Sequence, residues 1–206
     1  MDPNTFPTKG NLIRSKNSLT LSRQGYELMD KKRNILIREM MQMSDQAESI
    51  QSKIDVTFRE AYAALQEANI DMGISNVEKL AGSIPVDNSI QIKLRSIMGV
   101  EIPVVESIKA STSPTYAFYR TKESLDKARF AFTKVRDLTI ELSAIESATY
   151  RLATNIKKTQ KRANALQNIT IPYYQTLVKD ITNSLEEKER EEFTRLKVIK
   201  RRKQNK

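Results

Sequence analysis

The chain has 206 residues, of which 29% are charged and only 6% are aromatic, and its net charge is +10. Five glycines and six prolines leave few breaks for helices, so the composition is typical of long helices joined by a narrow apolar seam. Because the chain contains no cysteine and no histidine, it offers no disulfide, no thiol nucleophile and no imidazole for acid–base catalysis or zinc binding. We therefore expect neither an active site nor a cofactor nor a metal ion.

The sequence gives no sign of secretion or of a membrane-spanning segment. Met1-Asp2-Pro3 lacks the basic and then apolar pattern of a signal peptide. The longest uncharged run, residues 163–178, contains asparagine, glutamine and proline and is too polar to cross a bilayer. We expect a cytoplasmic protein without direct membrane insertion.

The first predicted element is a long N-terminal helix over residues 8–70, with Thr8 as a candidate N-cap. A seven-residue apolar pattern continues through it for about eight heptads, which predicts a supercoiled helix that needs a partner helix of similar length. One seam position is occupied by Leu12, Leu19, Tyr26, Arg33, Met40, Ala47, Ile54, Ala61 and Ala68. The other is occupied by Ser15, Ser22, Met29, Leu36, Met43, Ile50, Thr57 and Ala64.

A C-terminal helix over residues 115–203 is the predicted partner. The same three- and four-residue spacing recurs at Leu138, Leu142, Ile145, Leu152, Ile156, Ala163 and Leu166, and again at Leu177, Ile181, Leu185, Leu196 and Ile199. Pro172 interrupts the pattern and predicts a kink or a break. We favour a kink, because the periodicity continues on both sides.

Residues 71–114 predict a small knob between the helices, since glycine and proline cluster there. Two alternating runs, Ile90–Leu94 and Val100–Val104, flank Gly99 and predict a β-hairpin near residues 89–105 with one covered face. The predicted fold is therefore mainly α: a long antiparallel two-helix coiled coil with a short β-hairpin-bearing knob between the helices, forming a single elongated domain. The hairpin is expected at the end of the helices away from the chain termini.

The positive charge is concentrated near the two termini. Residues 1–26 contribute +3 and residues 197–206 contribute +6, whereas the residues between them are nearly balanced. Antiparallel helices would bring these charges to one basic tip, which would suit an anionic partner surface. A solvated tail is the simpler interpretation of residues 200–206 alone. The candidate tip residues are Lys9, Arg14, Lys16, Arg23, Lys197, Lys200, Arg201, Arg202 and Lys203.

Two positions of the predicted N-terminal helix carry unusual residues. Gly25 lies within a strong helical pattern and is interpreted as a point of close packing with the neighbouring helix. Arg33 lies in the apolar seam, where it is expected to extend its guanidinium to water or to pair with a carboxylate across the coil, and it could also set the register.

Three blocks of the sequence together resemble the D subunit of the V-type and A-type rotary ATPases. The N-terminal block contains Pro7-Thr8-Lys9, Leu12, Lys16, Leu19, Gly25-Tyr26-Glu27-Leu28 and Lys32-Arg33. The central block is Ile97-Met98-Gly99-Val100-Glu101-Ile102-Pro103. The C-terminal block contains Arg162, Asn164-Ala165-Leu166, Ile171-Pro172, Leu185-Glu186-Glu187, Glu189-Arg190-Glu191, Phe193 and Arg195-Leu196-Lys197.

The resemblance implies a non-catalytic central-stalk subunit that couples ATP hydrolysis or synthesis to ion translocation through a membrane ring. Its expected partners are the A and B subunits of the catalytic ring at the basic tip, the F subunit of the stalk, and the funnel-shaped subunit on the membrane rotor ring. The candidate stalk-contact residues of the hairpin are Ile90, Ile92, Leu94, Met98, Gly99, Val100 and Ile102. The protein is then expected on the cytoplasmic side of the membrane, peripheral to it.

Two other functions are compatible with a basic coiled coil. A cytoplasmic adaptor or export chaperone could share the helices and the basic tip, but it would need neither the hairpin nor the three blocks. A nucleic-acid-binding coiled coil is less favoured, because the basic tail lacks the interleaved aromatic residues of a single-strand binder. We therefore expect no nucleic-acid partner.

Overall fold

The computed structural model describes residues 6–84, 90–106, 116, 119 and 121–204. The elements in chain order are α1 (Lys9–Met72), α2 (Ile74–Ala81), β1 (Gln91–Ile97), β2 (Val100–Glu106), α3 (Glu123–Ala165), a π-helical turn (Leu166–Thr170) and α4 (Ile171–Gln204). Two long helices with a two-stranded antiparallel hairpin between them confirm the predicted fold class.

The chain divides into two compact units. Unit 1 comprises Met1–Asn34 and Lys157–Lys206, and unit 2 comprises Ile35–Ile156. Each is described below by itself.

Helix α1 begins and ends at residues whose local chemistry explains its limits. The amide N–H of Asn11 donates to Thr8 Oγ1 at 3.2 Å, so Thr8 caps the helix as the sequence predicts. At the other end Gly73 has a φ of 83°, a left-handed conformation that glycine adopts without steric cost and that stops the helix.

Helix α3 begins at Glu123, later than residue 115, where the sequence interpretation placed the start. Its first turn carries Glu123 and Asp126, whose negative charges interact favourably with the helix dipole. Tyr116 lies in a bend, while Thr121 and Lys122 are not helical. Phe118, which falls within the range predicted for the helix, lies outside the described residues.

In unit 1 the two helices run antiparallel. The Nζ atom of Lys9 lies 3.3 Å from Glu189 Oε1, whereas Arg33 donates to Gln160 Oε1 at 2.7 Å. Residues later in α1 therefore lie beside residues earlier in the C-terminal helical segment, as antiparallel helices require. The seam of this unit buries Ala163 and Ile181 together with two small polar side chains, those of Ser15 and Thr159.

The helical backbone of unit 1 continues through Pro172. A proline removes one helical N–H and crowds the preceding turn. Here the five-residue π turn precedes it, in which the N–H of Ile171 donates to the carbonyl of Leu166. The wider ring of a π turn changes the backbone hydrogen-bond pattern next to the proline, so the helix continues into α4 without a break.

In unit 2 the seam between α1 and α3 buries one main apolar cluster. Leu36 and Leu152 are fully buried, and Ala148 is 2% exposed. Two residues of β2, Val100 and Ile102, complete this cluster, so the hairpin lies directly on the helix pair. Further along the same helices, the ring of Tyr62 meets that of Phe132 edge-on, with centroids 5.7 Å apart.

A second cluster closes the far end of unit 2. Val77 of α2 packs with Leu125 and with Tyr116, and Leu65 and Met72 lie against them. The Tyr116 hydroxyl donates to Asp126 Oδ1 at 2.5 Å, and the Arg129 guanidinium lies 5.6 Å from the centre of the tyrosine ring. Burial, followed by the hydrogen bond to Asp126, raises the pKa of Tyr116.

The position of the hairpin differs from the one expected. The sequence interpretation placed it at the end of the helices, but it packs on Leu36 and Leu152. Along α1, Leu36 is roughly 40 Å from Leu65 of the end cluster, at 1.5 Å per residue. Apolar periodicity does not encode where along the helices a hairpin packs.

Gly25 generates the first prediction. A Cβ atom added there would meet Leu166 Cδ1 at 3.7 Å, which is ordinary van der Waals contact, so close packing does not require glycine. We expect Gly25→Ala to raise the free energy of unfolding by about 0.5–1 kcal/mol, because alanine loses less backbone entropy in a helix. Denaturant unfolding followed by circular dichroism measures the change.

Gly73→Ala is the matched control, because its φ of 83° disfavours any side chain although the surrounding space is open. It should lower the unfolding free energy. A Gly25→Ala protein less stable than the parent would contradict the packing described here.

Candidate partner-binding surfaces

The hairpin is positioned by a tight two-residue turn. Met98 and Gly99 have φ angles of 49° and 76°, both in the left-handed region that a type I′ turn requires. The turn pairs Ile97 with Val100, and the register continues to Gln91 opposite Glu106. Glycine accounts for one of the two positions, whereas Met98 adopts a conformation that is uncommon for its residue type.

The two faces of the hairpin have different surroundings. Cross-strand partners share a face, so Ile97, Val100 and Ile102 lie on the face that packs against the helices. The opposite face carries the directly paired residues Leu94 and Pro103, and next to them Ile92 and Val105. On that outer face Ile92 and Leu94 are 62% and 60% exposed.

This arrangement divides the predicted stalk-contact residues. Val100 and Ile102 are 4% and 2% exposed, and they anchor the hairpin to Leu36 and Leu152, so their contact with a partner stays a prediction. The covered face predicted for the hairpin is supplied mainly by β2, whereas β1 is exposed at six of its seven residues. The residues left on the surface are Ile90, Ile92, Leu94, Met98 and Gly99.

The basic residues are spread along unit 1 and do not form one compact cluster. Lys9 is level with Glu189, to which it is paired, and Lys200 and Lys203 lie roughly 16–21 Å further along α4. Arg23 lies roughly 20 Å from Lys9 in the opposite direction along α1. All nine are exposed on helices: Lys9, Arg14, Lys16, Arg23, Lys197, Lys200, Arg201, Arg202 and Lys203.

The last part of α4 combines basic and apolar side chains on an uncovered helix. Every residue from 186 to 204 is exposed, and no described residue of α1 lies beyond Lys9 to cover them. Leu196 and Ile199 continue the seam spacing of Ile181 and Leu185 but are 64% and 52% exposed. The predicted binding residues included only the charges of this segment. The continuing apolar spacing at Leu196 and Ile199 was not included.

A polar bridge crosses the seam of unit 1 at Arg33. Its guanidinium lies 2.6 Å from Asp30 Oδ1 on the same helix and donates to Gln160 Oε1 on α3 at 2.7 Å. The side-chain amide of Gln160 in turn donates to Asn164 Oδ1 at 2.7 Å. Arg33 therefore pairs across the coil, with an amide and not with a carboxylate. The bridge links one position of α1 to one position of α3.

Two kinds of feature are absent from the described residues. No group of three or more carboxylate, histidine or cysteine side chains in this part of the chain could hold a metal ion. No helix within the described ranges is both long enough and apolar enough to cross a bilayer.

The fold and its exposed surfaces define a helical coiled-coil protein whose features are those of a partner-binding subunit. The sequence model of the family of ATP synthase D subunits matches residues 11–201, which include both long helices and the hairpin. The chain belongs to this family. It is a central-stalk subunit of a V/A-type rotary ATPase, as the three sequence blocks indicated.

Individual relatives match over almost their whole length. The D subunit of the V-type ATP synthase of Thermotoga neapolitana is 43% identical over 194 residues, which cover 94% of this chain and 96% of the relative. The D subunit of the A-type ATP synthase of Thermococcus kodakarensis is 35% identical over 200 residues, covering 96% and 94%. That of Methanosphaera stadtmanae is 36% identical over 198 residues, covering 95% and 92%.

The Arg33 bridge yields a prediction about register. In a double-mutant cycle with Arg33→Leu and Gln160→Leu, we expect a coupling energy of about 1 kcal/mol, because each single change leaves a polar partner unsatisfied. Unfolding free energies of the four proteins give this value. Arg33→Leu combined with the distant Thr194→Ala should be additive. If the Arg33–Gln160 pair were equally additive, the bridge would not contribute to register.

Proposed function

We propose that this chain is the rotating shaft that transmits force between the catalytic ring, built from the A and B subunits, and the membrane ring. The observation that carries the proposal is the family match over residues 11–201, which spans every element of the fold. A shaft needs stiffness along its length, and two paired helices provide it. It also needs different faces, so that chemically identical catalytic sites meet different surfaces at each angle.

In this proposal the chain performs no chemical step. The absence of histidine and cysteine from the sequence removes the usual groups that exchange protons or attack substrates near neutral pH. Among the described groups, the pKa is shifted upwards at Tyr116 and Lys127. Tyr116 lies in the apolar cluster that closes unit 2, and Lys127 is held by a helical ion pair with Glu123, so both have structural explanations.

We assign the end of unit 1 that contains Lys9 and the last turns of α4 to the catalytic ring. The uncovered segment 186–204 presents Leu196 and Ile199 beside Lys197 and Lys200. Such a mixed surface would fit a catalytic ring whose inner surface carries apolar and acidic groups. Exposed ion pairs contribute only about 0–1 kcal/mol each. Weak pairs favour assembly without holding the shaft at a single angle.

The hairpin and the sides of the helices are assigned to the other stalk partners, the F subunit and the funnel-shaped subunit on the membrane rotor ring. Support comes from the outer face of the hairpin, where Ile92 and Leu94 are exposed although they are aliphatic. The protein would then act at the cytoplasmic face of the membrane, peripheral to it and bound through the complex.

The assignment of the basic segment predicts an effect on assembly. Changing Lys197, Lys200, Arg201 and Arg202 to glutamine should slow insertion into a preformed ring roughly tenfold at low salt, since charge steering raises association rates. The rate should also depend less on salt, because the charges whose attraction salt screens beyond about 8 Å have been removed. Stopped-flow measurement of energy transfer between a labelled ring and a labelled chain gives the rate.

A matched control carries four neutralised basic residues in unit 2: Arg38→Gln, Lys53→Gln, Arg59→Gln and Lys134→Gln, all at helical positions. It changes net charge equally and should insert at nearly the parent rate. Equal slowing of both variants would assign the effect to net charge and not to the basic segment. A chain that does not enter the ring at all would contradict the shaft proposal itself.

A further inference from the structure

Strand β1 is an edge strand with an unusually open surface. Six of its seven residues are exposed, and no further strand pairs with it among the described residues. An open edge presents a row of unpaired backbone N–H and C=O groups, which is a template for pairing with another strand. Proteins commonly shorten, cover or bend such edges. An uncovered edge on a subunit of a complex is therefore a candidate binding site for another subunit.

The turn determines which backbone groups of β1 face outward. In a two-residue hairpin the residues that flank the turn, here Ile97 and Val100, form a hydrogen-bonded pair, and bonded and non-bonded pairs then alternate. Ser96, Leu94 and Ile92 therefore belong to non-bonded pairs. Their N–H and C=O groups point away from β2, towards the free edge.

The edge of β2 is already in contact with α3. This contact agrees with the alternation of hydrogen-bonded and non-bonded pairs along the hairpin. Glu101 is opposite Ser96 in a non-bonded pair, so its carbonyl should point outward, and it accepts a hydrogen bond from Arg151 Nη1 of α3 at 3.1 Å. The next outward position on β2 is Pro103, which has no N–H to donate. Only the edge of β1 can accept a strand.

We propose that β1 binds an extended strand of another subunit of the rotary complex by β-strand addition. The proposal rests on the proposed function, since that function supplies the neighbouring subunits. Main-chain hydrogen bonds to Ile92, Leu94 and Ser96 would provide affinity, and the alternating side chains would provide specificity. The partner strand carries aliphatic residues on the face shared with Ile92 and Leu94.

The charges of β1 specify the rest of the partner strand. Its two charged residues, Lys93 and Arg95, are both basic and lie on the other face of the strand. Lys93 is paired with Glu106, whereas Arg95 stands opposite Ile102 and has no carboxylate within ion-pair distance among the described residues. A carboxylate on the partner strand beside Arg95 would supply the missing opposite charge.

The same charges disfavour a second copy of this chain as the occupant. Two β1 strands paired antiparallel about Leu94 would place Lys93 of one copy opposite Arg95 of the other. Like charges directly opposite each other destabilise a strand pair. The edge of β1 can thus pair with an acidic strand, whereas pairing with β1 of a second copy is disfavoured by charge repulsion.

Amide hydrogen exchange tests the proposal at individual residues. In the isolated chain, the outward amides of Ile92, Leu94 and Ser96 should exchange fast, whereas those of Lys93 and Arg95 are already bonded to β2. In the assembled complex the three outward amides should slow at least tenfold. If the complex forms while these amides exchange as in the free chain, the edge is unoccupied and the proposal fails.

Ser96→Pro tests the same edge by removing one outward N–H. Because Ser96 is in a non-bonded pair, the substitution leaves the bonds of the hairpin ladder in place, and it removes no apolar side chain. We expect it to weaken association of the full chain with the other stalk subunits at least tenfold, whereas Ser96→Ala should bind within twofold of the parent. Arg95→Glu should also weaken binding.

Three further outcomes are distinguishable. Normal association of Ser96→Pro would overturn strand addition while leaving the shaft function intact, whereas failure of the parent chain to join the complex would overturn the function. Concentration-dependent dimers of the parent that Ser96→Pro abolishes would overturn the assignment to another subunit and identify a second copy as the occupant. Sedimentation of the free chain measures this.

Discussion

A helix of 64 residues with a narrow apolar stripe is stable only when another helix covers that stripe, and this constraint governs the structure. In unit 2 the buried positions of α1 are spaced by four, seven or fourteen residues: Leu36, Ile50, Ile54, Ala61 and Ala68. Alanine recurs on the facing helix at Ala128 and Ala148. Small residues let the two backbones approach, so burial is achieved with little apolar side-chain volume.

The hairpin depends on the same seam. Leu36 and Leu152 become fully buried where Val100 and Ile102 cover them, so β2 adds a third layer to a two-layer pair of helices. With one strand committed to the core, the other strand and its edge remain available. The surface that we assign to partners is thus the direct consequence of how the hairpin is anchored.

The helices and strands were predictable from the periodicity of the sequence. The place along the helices where the hairpin packs was not. The heptad pattern predicted both long helices, Thr8 identified the start of α1, and the alternation around Gly99 identified both strands to within a few residues. Periodicity does not show where a hairpin on two long connections will pack. For that reason the hairpin packs elsewhere along the helices than expected, and Val100 and Ile102, which were predicted to contact a partner, lie against Leu36 and Leu152.

Apolar periodicity also did not predict which side chains pair across the seam. The sequence marked Arg33 as unusual, but nothing in it singled out Gln160 over its polar neighbours on α3. Gly25 looked like a packing requirement, whereas the space beside it admits a methyl group. Both cases need the register of the two helices, which a single chain sequence does not give to within one residue.

The central claim is that the terminal helices turn inside the catalytic ring, and a reversible cross-link tests it most directly. The chain contains no cysteine, so Ile199→Cys introduces a single thiol on the exposed part of α4. In complexes with a matching cysteine on a catalytic subunit, we expect a disulfide that stops ATP hydrolysis, with full recovery on reduction. Hydrolysis that continues undiminished in the cross-linked complex would contradict the account.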